Sequence, residues 1–362
     1  MERTEDPIMS TKKLADEVPK EAGLLRRLGP GLITGAADDD PSGIATYSQV
    51  GAQFGFGLAW TMLFSLPFMI SIQEISGRIG CVTGRGIADN LRRHYPASLV
   101  RGIVLLLLIA NTINLGADLG AMGAALKLLI GGSQHLYTVG FGIICVLAEI
   151  LISYAAYART LKWLTIVLFA YVAVVFSVHL DWRTALHATF VPNLILSHDN
   201  AMALVAVLGT TISPYLFFWQ SALEVEERHR RGSGGCCMSQ GEAAPQIRRI
   251  RTDTMIGMLV SNVIAIFIIY ATAATLHASG VTNIQTSSQA AEALRPIAGR
   301  FTFAVFSTGI LGVGLLAVPV LAGSSAYALA ETFRWREGLN RKFEQARLFM
   351  EPSRYRRWLA WR

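Results

Sequence analysis

Charged residues are scarce in this chain. They make up 16% of its 362 residues, whereas hydrophobic residues make up 52% and the mean hydropathy is +0.42. Soluble domains carry roughly 25% charged residues. The hydrophobic residues occur in runs of about 20, which is the length of helix that crosses ~30 Å of hydrocarbon. The composition therefore excludes an ordinary soluble domain and predicts an all-α protein that crosses a lipid bilayer several times.

Features of enzymes, nucleic-acid-binding proteins and secreted proteins are also missing. The sequence contains no Gly-rich phosphate-binding loop with a Lys and no plausible Ser/His/Asp group, so we expect neither an enzyme nor a cofactor. The net charge of +7 comes from basic residues in short loops, without the basic patch and interleaved aromatics of a nucleic-acid interface. Residues 1–29 contain no apolar core before a cleavage site, so no cleavable signal peptide is expected.

Apolar segments long enough to span a membrane recur along the chain. We predict eight spans, at residues 30–50, 56–77, 102–130, 136–156, 162–180, 199–223, 253–277 and 301–331. With strict alternation, 28 of the 32 Lys and Arg residues fall on the side that holds both termini. Because Lys and Arg concentrate in cytoplasmic loops, we expect a multi-pass protein of the plasma (inner) membrane with both termini cytoplasmic.

A polar linker divides the predicted spans into two groups. It contains RRGSGGCCMSQGEAAP, which is rich in Gly and Ser and includes Cys236 and Cys237. We predict a cytoplasmic N-terminal segment, five spans with a broken sixth, a cytoplasmic linker, spans seven and eight, and a basic cytoplasmic tail. These parts correspond to residues 1–29, 30–223, 224–252, 253–331 and 332–362.

Three consecutive carboxylates lie near the middle of the first span. Asp38, Asp39 and Asp40 are followed at once by Pro41 in GPGLITGAADDDPSGIATYSQVG. A charge at a helix centre costs ~2.5–3.5 kcal/mol on insertion scales, and a proline clashes with the preceding helical turn. A helix broken here would expose carbonyls beside carboxylates, which together suit a hard cation. A simpler interpretation, compatible with the first, is that Asp40 caps a half-helix that begins at Pro41.

The sixth span contains a second helix-breaking proline. Pro214 follows Thr210, Thr211 and Ser213 in AVLGTTISPYLFFWQSALEVEE. Alone, this proline would indicate a plain kink, which membrane helices tolerate. Paired with Pro41 it favours a break, because discontinuous helices at corresponding positions of two halves mark the binding site of an inverted-repeat transporter.

These motifs resemble those of the Nramp family of divalent metal transporters, the natural resistance-associated macrophage proteins. The resemblance rests on DDDPSGIATYSQ, on the broken sixth span with its LEVEE end, and on GLLAVPVLAG in the eighth span, and it covers residues 28–340. It implies a LeuT-type core of inverted repeats, here with an incomplete second repeat. It also implies a metal held between the unwound parts of helices one and six.

Three positions of the family's motifs differ in this chain. The resemblance implies that Asp40 and the carbonyl of Thr210 are metal ligands, but Gly43 stands where the family has an Asn ligand. Ser213 stands in place of a Met ligand, and Tyr215 stands in place of a His linked to proton movement. At these positions the chain resembles the Nramp-related magnesium transporters, which also lack the Met and the Asn.

The chemistry of the ligands indicates a hard ion independently of the resemblance. Sulfur ligands select soft metals, whereas carboxylate, carbonyl and water suit Mg²⁺, Ca²⁺ and Mn²⁺. Mg²⁺ keeps several waters and needs few direct protein ligands. We therefore expect Mg²⁺ or Mn²⁺ as the transported ion. The predicted metal site comprises Asp40, Gly43, Thr210 and Ser213, with Asp38 and Asp39 as secondary candidates.

One further acidic residue lies in the third span. Asp118 looks like the position where the family carries an acid on its proton route, so Asp118 and Tyr215 are candidates for a proton or coupling route. The family's second acid, one turn later, is replaced by Ala121. An equally consistent interpretation is that Asp118 forms a hydrogen bond in a packed interface, with Asn111, Asn114 or Thr112.

Three functions remain open from the sequence. The first is a secondary transporter for a hard divalent cation. The second is a transport-deficient remnant that inserts and binds metal, because a five-plus-five core needs ten helices and residues 334–362 contain no further apolar run. The third is a LeuT-type amino-acid transporter. Three aspartates disfavour it, because they would lie where the substrate carboxylate binds. The expected partners are divalent metal ions and the lipid bilayer, and no oligomeric state is indicated.

Overall fold

A computed structural model of the protein describes residues 30–151, 169–193, 197–230 and 240–335. The regular secondary structure in these residues is helical throughout. The helices are α1 (Pro30–Asp38), α2 (Pro41–Phe54), α3 (Trp60–Thr83), α4 (Ile87–His94), α5 (Ala97–Ile130), α6 (Gln134–Leu151), α7 (Phe169–Ser177), α8 (Trp182–Phe190), α9 (His198–Thr211), α10 (Pro214–Arg230), α11 (Gln240–Thr272) and α12 (Ser287–Phe333). A π-helical turn (Ala273–His277) extends α11.

The chain is interrupted between α1 and α2. α1 ends at Asp38, and Asp40 has extended backbone angles (φ −64°, ψ 165°) before α2 begins at Pro41. Pro41 lies in the first turn of α2, where its missing N–H costs no hydrogen bond and its fixed φ suits a helix. Asp40 caps this turn by accepting a hydrogen bond from Gly43 N at 2.6 Å. The carboxylate and the proline therefore create the interruption together.

A second interruption separates α9 from α10. α9 ends at Thr211, Ile212 has non-helical angles (φ −116°, ψ 62°), and α10 begins at Pro214. The Ser213 hydroxyl donates to the Thr210 carbonyl at 2.7 Å, which satisfies one of the carbonyls left free at the end of α9. At both interruptions a proline starts the second half-helix, and a neighbouring side chain satisfies a free backbone group.

α1 packs against α11 with almost no space between the two backbones. A Cβ on Gly35 would collide with the backbone of Gly257, and a Cβ on Gly31 would lie 2.7 Å from the backbone nitrogen of Thr254. The Gly31 amide also donates to Asp253 Oδ2 at 2.8 Å. Since small residues let membrane helices approach closely, these two glycines fix the position of α1, and with it the position of the aspartates at its end.

Apolar side chains cover much of the outer surface. Leu106 and Ile113 on α5, and Ile143 on α6, are more than half exposed. Among the described residues, four helical segments are long and apolar enough to cross a membrane. They are Ala97–Ile130, His198–His229, Ala243–His277 and Gly299–Phe333. The predicted total of eight spans stays a prediction.

The helix bounds differ from the predicted segments in several places. α4 and α8 are short helices outside the predicted spans, because a polar surface segment can also be helical. The polar segment 224–252 is helical in its described parts, 224–230 and 240–252. α12 begins at Ser287, before the predicted span, and bends at Gly299 (φ 86°). The N-terminal residues 1–29, the linker residues Cys236 and Cys237, and residues 336–362 lie outside the described residues.

Candidate metal site

Asp40 lies at the interruption between α1 and α2 and is 3% exposed. Its Oδ1 accepts hydrogen bonds from Ser42 Oγ and Gly43 N, both at 2.6 Å. Its Oδ2 accepts a hydrogen bond from the Tyr215 hydroxyl at 3.2 Å. Because a carboxylate has about four lone-pair sites, Asp40 retains the capacity to bind a further ligand on the Oδ2 side.

Tyr215 joins the two interruptions. It lies in the first turn of α10, and its hydroxyl contacts the Ala37 carbonyl near the end of α1 at 2.9 Å as well as Asp40 Oδ2. The side chain is 2% exposed. One hydroxyl thus connects the end of α1, the residue that caps α2 and the start of α10.

α2 and α9 meet at Gly43 and Thr210. A Cβ on Gly43 would lie 3.0 Å from Thr210 Cγ2 and 3.3 Å from Asp40 Oδ1, so a larger residue would crowd the carboxylate. The Thr210 hydroxyl donates to Thr46 Oγ1 at 3.4 Å. The Thr210 carbonyl accepts from Ser213, as described above. The residues predicted as ligands therefore form one contiguous group, which we call the central group: Asp40, Gly43, Thr210 and Ser213.

Asp118 adjoins the central group from α5. It is fully buried, its Oδ1 accepts a hydrogen bond from Ser42 N at 3.1 Å, and its Oδ2 has no hydrogen-bond partner. Asp40 and Asp118 thus both bind the first turn of α2, where the positive end of the helix dipole favours anions. Asp118 thus forms a hydrogen bond in a packed interface, but its partner is Ser42. Asn111 donates to Ser325 Oγ at 2.8 Å, and Thr112 donates to the Leu108 carbonyl at 2.7 Å.

Asp38 and Asp39 have different neighbours. Asp38 Oδ2 accepts a hydrogen bond from Ser261 Oγ, on α11, at 3.1 Å. Neither carboxylate oxygen of Asp39 has a hydrogen-bond partner of normal geometry, although Ser261 lies close to it as well. Within the described residues, no three His, Cys, Asp or Glu side chains are placed to hold an ion by themselves. A metal in the central group would therefore need carbonyls, hydroxyls and water as further ligands.

A cavity of about 660 Å³ opens from the first turn of α2 to one side of the bundle. Its walls are α2, α5, α9 and residues 284–288, and Pro41 and Ser42 lie at the end next to Asp40. Polar side chains on the walls include Thr46, Gln49 and Asp199. We call this side, where α2 ends and α9 begins, the open side.

The other side, where α1 begins and α10 ends, is closed by polar contacts between helices. Arg249 on α11 forms an ion pair with Glu224 on α10. Tyr327 on α12 donates to Glu226 on α10 at 3.0 Å. Together with the bond from Gly31 N to Asp253, these contacts join α1, α10, α11 and α12. We call this the sealed side.

Comparison with known proteins establishes the family. Residues 31–351 match the family described as natural resistance-associated macrophage protein-like. The chain belongs to the Nramp family. The resemblance inferred from the motifs is confirmed, and it places this Nramp protein among membrane transporters rather than enzymes. A divalent metal cation transporter MntH of Aeromonas hydrophila is 27% identical over 320 residues, which cover 86% of this chain and 75% of the relative.

Solved structures show the same fold. The manganese transporter of Eremococcus coleocola superposes with a TM-score of 0.69 at 18% identity, over 90% of this chain and 69% of the neighbour. Mhp1, a nucleobase-cation-symport-1 family transporter, superposes with a TM-score of 0.64 at 15% identity, over 87% of this chain and 68% of the neighbour. The predicted fold class, an all-α membrane protein with a LeuT-type core, is confirmed by these likenesses.

Several residues around the site were not singled out from the sequence. Ser42 contacts both Asp118 and Asp40. Its position could have indicated this, because the amide of the second residue of a half-helix has no partner within the helix and needs an acceptor. Ser261, Tyr47 and Tyr171 come from three separate helices, and only the three-dimensional packing shows that they lie near the aspartates.

Proposed function

We propose that the chain is a secondary transporter that binds a hard divalent cation, Mn²⁺ or Mg²⁺, between its two helix interruptions, with Asp40 as the main ligand. The observation that supports this most strongly is the contact of Tyr215 with both Ala37 and Asp40, because it makes the two interruptions a single site. A rearrangement of either half-helix would change this contact, as alternating access around a fixed site requires.

The donor atoms around Asp40 favour a hard ion. They are carboxylate, carbonyl and hydroxyl oxygens, and the position of the family's Met is taken by Ser213. Oxygen ligands suit Mg²⁺ and Mn²⁺, whereas softer ions gain more from sulfur. The cavity on the open side is large enough to admit an ion with part of its water shell, which Mg²⁺ in particular retains.

The distribution of basic residues supports an orientation for transport. The sealed side carries the ends of the helices that adjoin the Arg-rich segments 78–101 and 224–252. If that side is cytoplasmic, as the positive-inside rule predicts, the cavity opens to the exterior. The conformation would then be the one that receives the ion from outside the cell.

Calorimetric titration of the purified chain with Mn²⁺ and Mg²⁺ tests the site. We expect Asp40→Asn to weaken binding by at least about tenfold, because the substitution removes the charge that balances the ion. Asp181→Asn is the matched control, since Asp181 caps α8 away from the site. Equal affinities of Asp40→Asn and the unsubstituted chain would remove Asp40 from the site.

Ion preference is tested separately at Ser213. We expect Ser213→Met to raise the affinity for Cd²⁺ relative to Mg²⁺, because a thioether favours the softer ion. Ser213→Leu is the control for size without sulfur. A chain that already prefers Cd²⁺ strongly without substitution would contradict the hard-ion assignment.

A further inference from the structure

A second set of polar groups lies around the end of α1, apart from the central group. Asp38 and Asp39 are 1% and 0% exposed. Three of their four carboxylate oxygens have no hydrogen-bond partner of normal geometry, and the fourth accepts from Ser261. Buried polar atoms almost always have a hydrogen-bond partner. Three oxygens without one at a single helix end therefore indicate that a ligand binds there.

Two buried tyrosines lie close enough to act on the same aspartates. Tyr47 on α2 interacts electrostatically with Asp38, Asp39 and Asp40, and Tyr171 on α7 interacts with Asp39. Both side chains are buried, and neither hydroxyl has a hydrogen-bond partner. The packing of α1, α2, α7 and α11 therefore brings into one buried region the carboxylates of Asp38 and Asp39 and the hydroxyls of Tyr47, Tyr171 and Ser261.

The titratable groups around these oxygens are acidic, and no basic group among the described residues is found to interact with them. The charged groups that act on Asp38 and Asp39 are the neighbouring aspartates. The C-terminal end of α1 adds the negative end of a helix dipole. Four carboxylates, those of Asp38, Asp39, Asp40 and Asp118, lie buried within this region. With all four ionised, a divalent ion at Asp40 would balance only two of the four charges.

These oxygens lie toward α1 from the residues that the cavity reaches. The cavity on the open side is lined by Pro41 and Ser42, whereas Asp38 and Asp39, which precede Asp40 at the end of α1, are absent from its walls, as Asp40 itself is. A cation held by Asp38 and Asp39 would therefore lie on the α1 side of Asp40. It would also lie close to a divalent ion, and repulsion scales with the product of the two charges, which favours a monovalent second ion.

We propose that Asp38, Asp39, Ser261, Tyr47 and Tyr171 form a second cation site, which binds Na⁺. Carboxylate and hydroxyl oxygens are hard ligands, and the C-terminal ends of half-helices hold Na⁺ in other transporters with interrupted helices. The site goes beyond the proposed divalent site, and only its preference for a monovalent ion rests on a divalent ion at Asp40. The bound Na⁺ would stabilise the end of α1 next to the divalent ion.

Binding of ²²Na⁺ to the purified full chain tests the proposal, with N-methyl-D-glucamine keeping the ionic strength constant. We expect saturable binding that Asp39→Asn weakens by at least about tenfold. Tyr171→Phe should weaken it by about threefold, while its Mn²⁺ affinity, measured by calorimetry, stays unchanged. The ring of Tyr171 packs edge-on against Phe306 at 5.0 Å, and this contact survives in the Phe variant, so the fold is kept.

Tyr137→Phe is the matched control, since the Tyr137 hydroxyl binds the Gly131 carbonyl on the exposed surface. Asp40→Asn separates the two sites: it should lose Mn²⁺ and keep Na⁺. If the unsubstituted chain binds Na⁺ but not Mn²⁺, the proposed function fails and the second site stands. Three results would overturn the second site. The first is the absence of saturable ²²Na⁺ binding, and the second is binding that neither Asp39→Asn nor Tyr171→Phe changes. The third is loss of Na⁺ binding in Asp40→Asn.

Discussion

The open side and the sealed side of this protein differ in what fills the space between their helices. On the open side, α2, α5 and α9 are separated by a cavity of about 660 Å³. On the sealed side, glycine contacts join α1 to α11, and the ion pair between Arg249 and Glu224 joins α11 to α10. The central group lies where the two regions meet. In the described residues the cavity therefore approaches Asp40 from the open side, and the alternating access proposed above would require the sealed-side contacts to break.

Removing one partner of the ion pair between Arg249 and Glu224 should lower the free energy of unfolding more than the other changes described below. Glu224 is 1% exposed, and Arg249→Met would leave its charge buried without a partner. We expect the free energy of unfolding in detergent to fall by about 3 kcal/mol. The control is Arg78→Met, whose pair with Glu74 leaves the arginine side chain 43% exposed, so the loss should be about 1 kcal/mol or less. Equal losses in the two variants would show that the sealed side is not held by this pair.

Disturbing the close approach of α1 and α11 should lower the free energy of unfolding by the next largest amount. Gly35→Ala places a methyl group against the backbone of Gly257, which must move. We expect a loss of about 1–3 kcal/mol, as for other overpacked contacts, measured as the shift in the unfolding midpoint. Gly102→Ala is the control, because nothing lies within 4 Å of the added methyl group. It should stabilise α5 by about 0.5–1 kcal/mol. A neutral Gly35→Ala would mean that α1 is free to shift without cost.

Filling the cavity on the open side should change the stability least, but it should clearly slow the entry of the ion. Ala206 lines the cavity, and Ala206→Trp would fill part of it. We expect the free energy of unfolding to change by no more than about 0.5 kcal/mol, while the Mn²⁺ association rate falls by about tenfold. Ala201→Trp is the control on the same helix, because Ala201 is exposed outside the cavity lining. Equal association rates in the two variants would show that the ion enters elsewhere.

The interruptions and the family could be predicted because they depend on local chemistry. A proline fixes where a membrane helix stops, and the second half-helix of each interrupted helix begins at a proline, Pro41 or Pro214. The juxtaposition of Asp40 with Gly43 followed from capping geometry, which spans three residues. Such features need no knowledge of the rest of the fold.

Contacts between distant segments could not be predicted in the same way. The bond from Ser42 N to Asp118 joins residues 76 positions apart, and that from Ser261 to Asp38 joins residues 223 positions apart. No periodicity or motif encodes such a pairing. The start of α11 at Gln240 was also missed, because a polar helix beyond the apolar segment resembles a loop in composition. The assignment of ligands among the central group remains a prediction.

Crystals of the protein soaked with Mn²⁺ and measured at the manganese absorption edge test the divalent site most directly. The proposed site predicts an anomalous peak about 2.0–2.6 Å from an Asp40 carboxylate oxygen, with the Thr210 carbonyl and Ser213 hydroxyl bound directly or through water. A peak centred on Asp38 and Asp39, a peak among the sealed-side carboxylates, or no peak at saturating Mn²⁺ would contradict it.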